Sequence, residues 1–213
     1  GWNTKADGSG TSYSDKQSVK NLATKNGTKV TLYAQWAKNT YTIRFHANGG
    51  AGSMADVTVP YDTVYYLPKN QFTLKGYRFD EWIDADHSMA IDDEGYITRT
   101  SAQSKSDVID LYAQWTANKY IVAYNANGGS GTMAADTATY GSGYVTKENA
   151  FSRTGYTFKG WNEKADGTGT DWTNWIGKSW TWTYTKNITL YAQWTATQYQ
   201  LTLNPNNGSF SDG

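Results

Sequence analysis

The sequence predicts a mostly β protein of the α+β class, built as a tandem array of small domains. The pentapeptide Leu-Tyr-Ala-Gln-Trp stands at residues 32–36, 111–115 and 190–194, and both intervals are 79 residues. Runs in which apolar and polar residues alternate are separated by Asn-Gly and Asp-Gly pairs. A fixed period of this size is typical of repeat arrays, and period-2 alternation is typical of half-buried strands.

The period divides the chain into four parts. Residues 37–115 and 116–194 are predicted to be full repeats. Residues 1–36 match the C-terminal portion of a repeat, and residues 195–213 match its first strand and turn. Neither partial repeat can bury a complete core alone, so we interpret the chain as a segment of a longer protein.

Composition excludes several classes of protein. With 15% aromatic residues the chain is not disordered, and a net charge of zero gives no basic surface for nucleic acid. The absence of Cys excludes a disulfide scaffold. No apolar run reaches the roughly 18 residues of a membrane span, so we expect any export or anchoring signal to lie outside this segment.

The partial repeat at the start is predicted to contain two strands and a short helix. Residues 1–11 match residues 160–170 almost letter for letter, and their Asp-Gly pair predicts a tight turn after a Trp-bearing strand. Residues 14–22 place apolar side chains at i, i+3 spacing behind a Ser, which predicts one or two helical turns capped by Ser14. Residues 29–36 alternate and predict the closing strand.

Each full repeat opens on a predicted half-buried strand. Tyr41, Ile43 and Phe45 alternate with polar residues, and Asn-Gly-Gly follows at 48–50 and at 127–129, predicting a hairpin turn. The four residues that join successive repeats include neither Gly nor Pro. We therefore expect short, stiff joints.

A second strand is predicted over about residues 56–67, and over residues 135–146 in the next repeat. Pro60 lies inside it and lacks an N–H, which favours an edge position or a bulge. The motif Gly-Tyr-x-Phe-x-x-Trp follows in both repeats, and its unequal aromatic spacing predicts a bulge near Glu81 and Gly160. The Trp residues of this motif and of the closing pentapeptide serve as structural landmarks: Trp36, Trp82, Trp115, Trp161 and Trp194.

Three motifs in constant order resemble the Listeria–Bacteroides repeat, or internalin B-repeat, of bacterial surface proteins. They are Tyr-x-[Ile/Val]-x-[Phe/Tyr]-x-Ala-Asn-Gly-Gly, Gly-Tyr-x-Phe-x-x-Trp and Leu-Tyr-Ala-Gln-Trp. The resemblance implies a β-grasp (ubiquitin-like) unit, with a small antiparallel sheet and at most one short helix. It also implies a secreted, cell-wall-associated protein whose tandem copies form a stalk or an adhesive region. The middle repeat departs from the pattern at 84–87, where the Ala-Asp-Gly turn is missing.

Candidate catalytic and metal-binding residues are few. His46 and His87 are the two His residues, and the next repeat has Asn125 and Asp166 in their places. The sequence contains no Cys nucleophile and no nucleotide-binding or zinc-protease motif. We expect neither an enzyme nor a cofactor.

An acidic segment at 84–94 is a candidate for calcium. Its carboxylates are hard oxygen ligands of the type that calcium prefers, but the spacing lacks the Gly of an EF-hand loop. A solvated acidic loop is the alternative, and it is the one we favour. The carboxylates are those of Asp84, Asp86, Asp92, Asp93 and Glu94.

The Trp-rich residues 172–184 are the candidate ligand surface. Trp182 and Tyr184 stand where the preceding repeat has Gln103 and Lys105. An extended chain would place both rings on one face, and exposed aromatic rings bind sugars or a protein partner. Packing inside the repeat or across a joint is the alternative.

The sequence therefore predicts a non-enzymatic segment of an extracellular bacterial cell-surface protein. Its expected role is a semi-rigid stalk or spacer, with adhesion as a further role. The alternative function is a module that binds host glycan or protein through residues 172–184. Neighbouring repeats are the other expected partners, and neither nucleic acid nor membrane insertion is expected; a strand such as Tyr199–Leu203 could also complete a foreign sheet.

Overall fold

The computed structural model describes residues 1–86, 88–99, 107–204, 206 and 208, with the backbone alone of Asp107. These residues form sixteen strands and one 3₁₀ turn, and this part of the chain contains no α-helix. The mostly β class is confirmed. His87, Gln103 and Lys105 lie outside the described residues.

The chain divides into two compact units. The first contains Gly1–Asn48, Ser53–Gln71 and Glu81–Ala113, and the second contains Gly49–Gly52, Phe72–Asp80 and Gln114–Gly213. The second unit thus includes residues 72–80, which belong by sequence to the preceding repeat.

The first partial repeat forms a three-stranded antiparallel sheet with β1 in the middle. Its predicted closing strand is reduced to two residues, and the landmark Trp36 is 92% exposed. The strands are β1 (Trp2–Asn3), β2 (Ser12–Tyr13) and β3 (Tyr33–Ala34).

The helical turns predicted at 14–22 are wrong. Lys16 and Asn21 have φ angles of 59° and 56°, which a right-handed helix cannot include. The segment instead makes a tight turn in which the Gln17 N–H donates to the Ser14 carbonyl. The Ser14 N–H donates in return to the Gln17 side chain, at 2.8 Å.

The middle repeat contains a five-stranded sheet in the order β5-β4-β10-β7-β8 and a separate ribbon of β6 and β9. Its two central strands, β4 and β10, are parallel, with Ile43 opposite Ile109. The antiparallel pairing expected for the sheet thus does not extend to its central pair. The strands are β4 (Thr40–His46), β5 (Val57–Pro60), β6 (Tyr65–Tyr66), β7 (Tyr77–Asp84), β8 (Ala90–Asp92), β9 (Tyr96–Ile97) and β10 (Asp107–Ala117).

The next repeat has the same central arrangement in its main sheet, but this sheet has four strands instead of five. The second strand of its ribbon lies at 179–181 and not at 175–176, the positions equivalent to β9. Its sheet order is β12-β11-β16-β14, its central strands β11 and β16 are again parallel, and its ribbon pairs β13 with β15. The strands are β11 (Lys119–Asn125), β12 (Asp136–Thr139), β13 (Gly143–Val145), β14 (Tyr156–Asn162), β15 (Ser179–Thr181) and β16 (Ile188–Ala196), with a 3₁₀ turn at Thr173–Trp175. The β-grasp fold implied by the resemblance stays a prediction.

The predicted second strand is divided in both repeats. Asp62 and Gly141 occupy equivalent positions and have φ angles of 58° and 74°. A left-handed residue turns the chain, so one piece joins the main sheet and the other joins the ribbon. Pro60 ends β5, which lies at the sheet edge, as its missing N–H predicts.

The bulge predicted in the Trp-bearing strand is confirmed at Gly160. The register of β14 against β16 shifts between Phe158 and Gly160. A Cβ on Gly160 would collide with the side chain of Thr173, so a larger residue does not fit there. The predicted turn at Asn127-Gly128 is also present, with φ angles of 47° and 86° that fit a type I′ turn.

Equivalent side chains form the cores of the two full repeats. Trp82 and Trp161 are fully buried, as are Leu111 and Leu190 of the closing strands. Trp115 and Trp194 are partly buried and make similar edge-to-face contacts, with Phe79 at 5.9 Å and with Phe158 at 5.8 Å between ring centroids. Among the described residues, no helix has the length and apolar character of a membrane span.

A buried Asn organises the loop that follows the Trp-bearing strand. Asn162 is 5% exposed, and its side-chain amide makes four bonds to backbone groups of residues 164–169. Its Nδ2 donates to the carbonyls of Gly167 and Gly169, and its Oδ1 accepts from the N–H groups of Lys164 and Gly169. Asn3 makes the equivalent four bonds to residues 5–10. The nearly identical sequences of residues 1–11 and 160–170 thus form the same loop structure.

We predict that Asn162→Ala lowers the free energy of unfolding of its repeat by about 2–3 kcal/mol, since buried loop groups lose their partners. Urea unfolding followed by Trp fluorescence measures this change. Thr168→Ala is the matched control, because its hydroxyl bonds to Asp166 at the exposed loop tip, and it should change stability by less than about 0.5 kcal/mol. Equal effects of the two substitutions would contradict the role of Asn162.

Candidate functional site

The Trp-rich segment folds into an aromatic cluster beside the ribbon of β13 and β15. Neighbouring rings lie 5.1–6.2 Å apart between centroids, in tilted or edge-to-face arrangements. These ring arrangements contribute a favourable interaction energy in addition to that of burying the apolar ring surfaces. The cluster contains Tyr144, Trp172, Trp175, Trp180, Trp182 and Tyr184.

Trp182, predicted as a ligand contact, lies in the core. Its side chain is 0% exposed, and its indole N–H donates to the Tyr184 carbonyl at 2.8 Å. It packs against Trp172, which is 1% exposed and donates to Glu163. Trp182 thus offers no surface to a ligand. It packs inside the repeat, which was the alternative interpretation.

Tyr184, the second predicted contact, is partly buried. Its ring lies 5.4 Å from Trp172 and 5.5 Å from Trp182 between centroids. Burial, followed by the nearby carboxylate of Glu163, raises the pKa of the Tyr184 hydroxyl. The phenol is therefore neutral at physiological pH and can donate or accept a hydrogen bond.

The exposed part of the cluster is Trp175. Its side chain is 45% exposed and lies 5.5 Å from Trp180 between ring centroids. The 3₁₀ turn at Thr173–Trp175 positions it, and Asp171 fixes the start of that turn by accepting from the Thr173 N–H. Alignment at the 79-residue period pairs Trp175 with Tyr96, so aromatic character at this position was visible in the sequence.

A buried hydrogen bond joins the cluster to the first strand of its repeat. Tyr124 and Tyr144 share a buried hydrogen bond of 2.9 Å between their hydroxyl oxygens. Burial raises the pKa of the Tyr144 hydroxyl well above its ordinary value, and the bond with Tyr124 raises it further. Because the Tyr144 phenol stays protonated near neutral pH, it cannot act as a base there.

The candidate calcium ligands do not converge. Asp84 is 8% exposed, and its carboxylate accepts from the Ser88 hydroxyl, the Ser88 N–H and the Met89 N–H at 2.6–2.9 Å. The Ser88 hydroxyl bond is the main reason that the pKa of Asp84 is lowered. Within the described residues, no three His, Asp or Glu side chains gather to hold a metal ion. Asp84 therefore organises a turn.

His46, the described His, is held on the sheet surface. Its Nε2 lies 2.7 Å from the carboxylate of Asp110, and its ring stacks on Tyr112 at 4.5 Å between centroids. The equivalent positions in the next repeat are Asn125 and Thr189, so the pair belongs to the middle repeat alone.

The joint before residue 119 is a second candidate site, for contact between repeats. β10 ends at Ala117 and β11 begins at Lys119, so Asn118 alone separates the two strands. The Asn118 N–H donates to the Gly76 carbonyl at 2.9 Å, and the Asn118 carbonyl accepts from the Tyr140 N–H at 2.9 Å. Both bonds lie within the second compact unit.

The ring of Tyr140 covers this joint. It packs edge-to-face on Tyr77, with 5.6 Å between centroids, and it lies so close to Gly76 that a Cβ there would collide with it. The equivalent bond recurs one period later, where the Thr197 N–H donates to the Gly155 carbonyl at 2.8 Å. The Gly-Tyr pair of the second motif thus contacts the repeat that follows.

Comparison with known families matches the Listeria-Bacteroides repeat domain to residues 41–114 and 120–193. The chain is 32% identical over 217 aligned positions to a protein of Evansella cellulosilytica provisionally named a Gly-rich membrane protein, covering 98% of this chain and 22% of that protein. It is also 32% identical over 198 positions to Internalin H of Listeria monocytogenes, covering 91% and 32%. The chain therefore spans between about a fifth and a third of the length of these relatives.

We predict that Trp182→Ala destabilises its repeat by about 3–5 kcal/mol, because a fully buried indole leaves a cavity. Trp175→Ala is the matched control and should cost less than about 1 kcal/mol, since nearly half of its side chain is exposed. Urea unfolding of both variants measures the difference. Equal stabilities would contradict the placement of Trp182 in the core.

Proposed function

The chain belongs to the Listeria-Bacteroides repeat family, and on that basis we propose that it is a non-enzymatic spacer in an extracellular bacterial cell-surface protein. The observation that carries the proposal is the joint at Asn118. A spacer keeps a defined orientation along its length only if successive repeats cannot rotate freely about the joint between them. This requires contacts that cross the joint.

The contacts at the joint support a semi-rigid stalk. A single residue between two strands has little freedom, and both backbone groups of Asn118 are hydrogen-bonded. The Tyr77–Tyr140 ring contact adds a side-chain restraint on the same segment. Recurrence of the Gly76 bond at Gly155 supports an array in which each joint is built alike.

The sheet plan supports a β-grasp-like repeat as the building block. A central parallel pair joins the first and closing strands in both repeats, and in residues 116–194 antiparallel strands flank this pair on both sides. The names of the relatives, which include membrane proteins and an internalin, support a location at the cell envelope. An adhesive role belongs to the same proposal.

We predict a narrow distance distribution between spin labels on the two full repeats. The chain has no Cys, so Thr58→Cys and Lys159→Cys place two labels at exposed positions without background labelling. Inserting Gly-Gly-Ser after Asn118 should increase the width of the distance distribution to about 10 Å, which is the r.m.s. end-to-end distance of three flexible residues.

The same insertion after Gly27, an exposed turn residue of the first partial repeat, is the control and should leave the distribution narrow. Tyr140→Ala should broaden it partially, because the ring restraint is lost while the backbone bonds remain. A distribution that is already broad in the unmodified protein, or unchanged by insertion at Asn118, contradicts the semi-rigid spacer.

A second candidate function is binding of host glycan or protein at the aromatic cluster. The observation that favours it is Trp175, an exposed indole supported from behind by Trp180. Large rings held rigidly at a surface are suited to binding because little conformational entropy is lost. Tyr184 adds a partly exposed phenol to the same cluster.

If this second function holds, Trp175→Ala abolishes a glycan-array or pull-down signal at unchanged melting temperature, and Tyr184→Ala weakens it. Trp2→Ala, which removes a 40% exposed indole from the first partial repeat, is the matched control and retains the signal. A wild-type protein that gives no signal in either assay leaves the spacer as the function.

A further inference from the structure

Two tyrosine rings form an exposed pair on the ribbon of the middle repeat. Tyr66 and Tyr96 stand opposite each other in β6 and β9 and are 68% and 61% exposed. Their ring centroids are 6.0 Å apart and their planes are inclined by 60°. Aromatic residues elsewhere in this repeat, such as Tyr41 and Tyr61, are 1% exposed, so core packing does not account for this pair.

The backbone around the pair is fixed. The Leu67 N–H donates to the Gly95 carbonyl at 2.7 Å, directly beside the two tyrosines. The Asn70 N–H donates to the carboxylate of Asp93 at 2.7 Å, which ties the neighbouring segment to the turn before Tyr96. The rings are thus presented by a preformed framework, and binding would not have to order it.

A groove of about 560 Å³ runs beside Tyr96 along residues 88–98. Apolar Ile91 and Ile97 are buried beneath it, while Ser88, Asp92 and Thr98 place polar groups on its walls. The described residues that line the groove include neither Lys nor Arg, and the exposed carboxylates of Asp92 and Glu94 stand at the adjoining turn.

We propose that the Tyr66–Tyr96 pair and this groove bind an uncharged polysaccharide. Pyranose rings present C–H faces that pack on aromatic rings, and their hydroxyls donate to carboxylates and hydroxyls such as those of Asp92 and Thr98. The acidic rim repels sulfated or uronic-acid glycans. A protein partner fits less well, because a stable interface needs an apolar centre broader than two rings.

The proposal does not depend on the spacer role, and it concerns a site separate from the Trp175 cluster. The equivalent positions in the next repeat are Val145 and Trp175, which are 47% and 45% exposed. The paired-tyrosine arrangement therefore belongs to the middle repeat, and variants at the two sites can be compared in one protein.

Native affinity electrophoresis of the complete 213-residue chain tests the proposal. The gels contain hydroxyethylcellulose, galactomannan or dextran as uncharged probes, and dextran sulfate as the anionic probe. We expect retardation by at least one uncharged polymer and none by dextran sulfate. Tyr66→Ala and Tyr96→Ala should each weaken the interaction roughly three- to tenfold, and the double variant should lose it.

Val64→Ala, which removes an exposed side chain from the same segment, is the matched control and should bind normally. Trp175→Ala should also retain the retardation that depends on the tyrosines. Melting temperatures of all variants should match the wild type, since the altered side chains lie at the surface. Any one of four results overturns the proposal. The wild type is not retarded by any uncharged polymer, the double variant is still retarded, only Trp175→Ala loses the retardation, or dextran sulfate retards the protein.

Discussion

The central parallel pairing of the first and closing strands is the constraint on which each full repeat depends. β10 and β16 each lie between the first strand of the repeat and its Trp-bearing strand, so they hold together segments that are far apart in sequence. Contacts of such long range form only when most of the chain is in place. Removal of the closing strand would therefore separate the first strand from the Trp-bearing strand.

The central position of the closing strand explains the sequence of its pentapeptide. Leu190 and Ala192 point into the core and are 0% exposed. Gln193 donates to carbonyls of the loop at 164–165, and Trp194 donates to the Ala126 carbonyl at the type I′ turn. The strand thus fixes the core, a loop and a turn at once. Its sequence is constrained on both faces of the sheet. Exposed positions elsewhere differ: Tyr66 and Tyr96 of the middle repeat correspond to Val145 and to Trp175, which lies in the 3₁₀ turn.

Alternation of polar and apolar residues was sufficient to predict Tyr41, Ile43 and Phe45 as a strand with one buried face. The period predicted which Trp residues are equivalent. Two apolar residues at helical spacing were insufficient for a helix at 14–22, because Lys16 and Asn21 adopt left-handed angles that spacing does not report. Alternation likewise says nothing of strand direction, so the parallel central pair could not be predicted.

The burial of the candidate site could not be predicted from the sequence either. Alternation groups Trp180, Trp182 and Tyr184 on one side of the chain, and in the structure their neighbours Thr181 and Thr183 are the exposed residues. It does not reveal that Trp172, from a preceding loop, covers that side. Exposure at Tyr66 and Tyr96 depends in the same way on which segments lie nearby, and this is determined only by the three-dimensional structure.

Hydrogen–deuterium exchange across the intact chain tests the central role of the closing strand most directly. Amides of residues 109–113 and 188–192 should exchange most slowly and at similar rates in the two repeats, with the ribbon strands 143–145 and 179–181 exchanging faster. Closing strands that exchange as fast as the ribbons, or at clearly different rates from each other, would contradict the account.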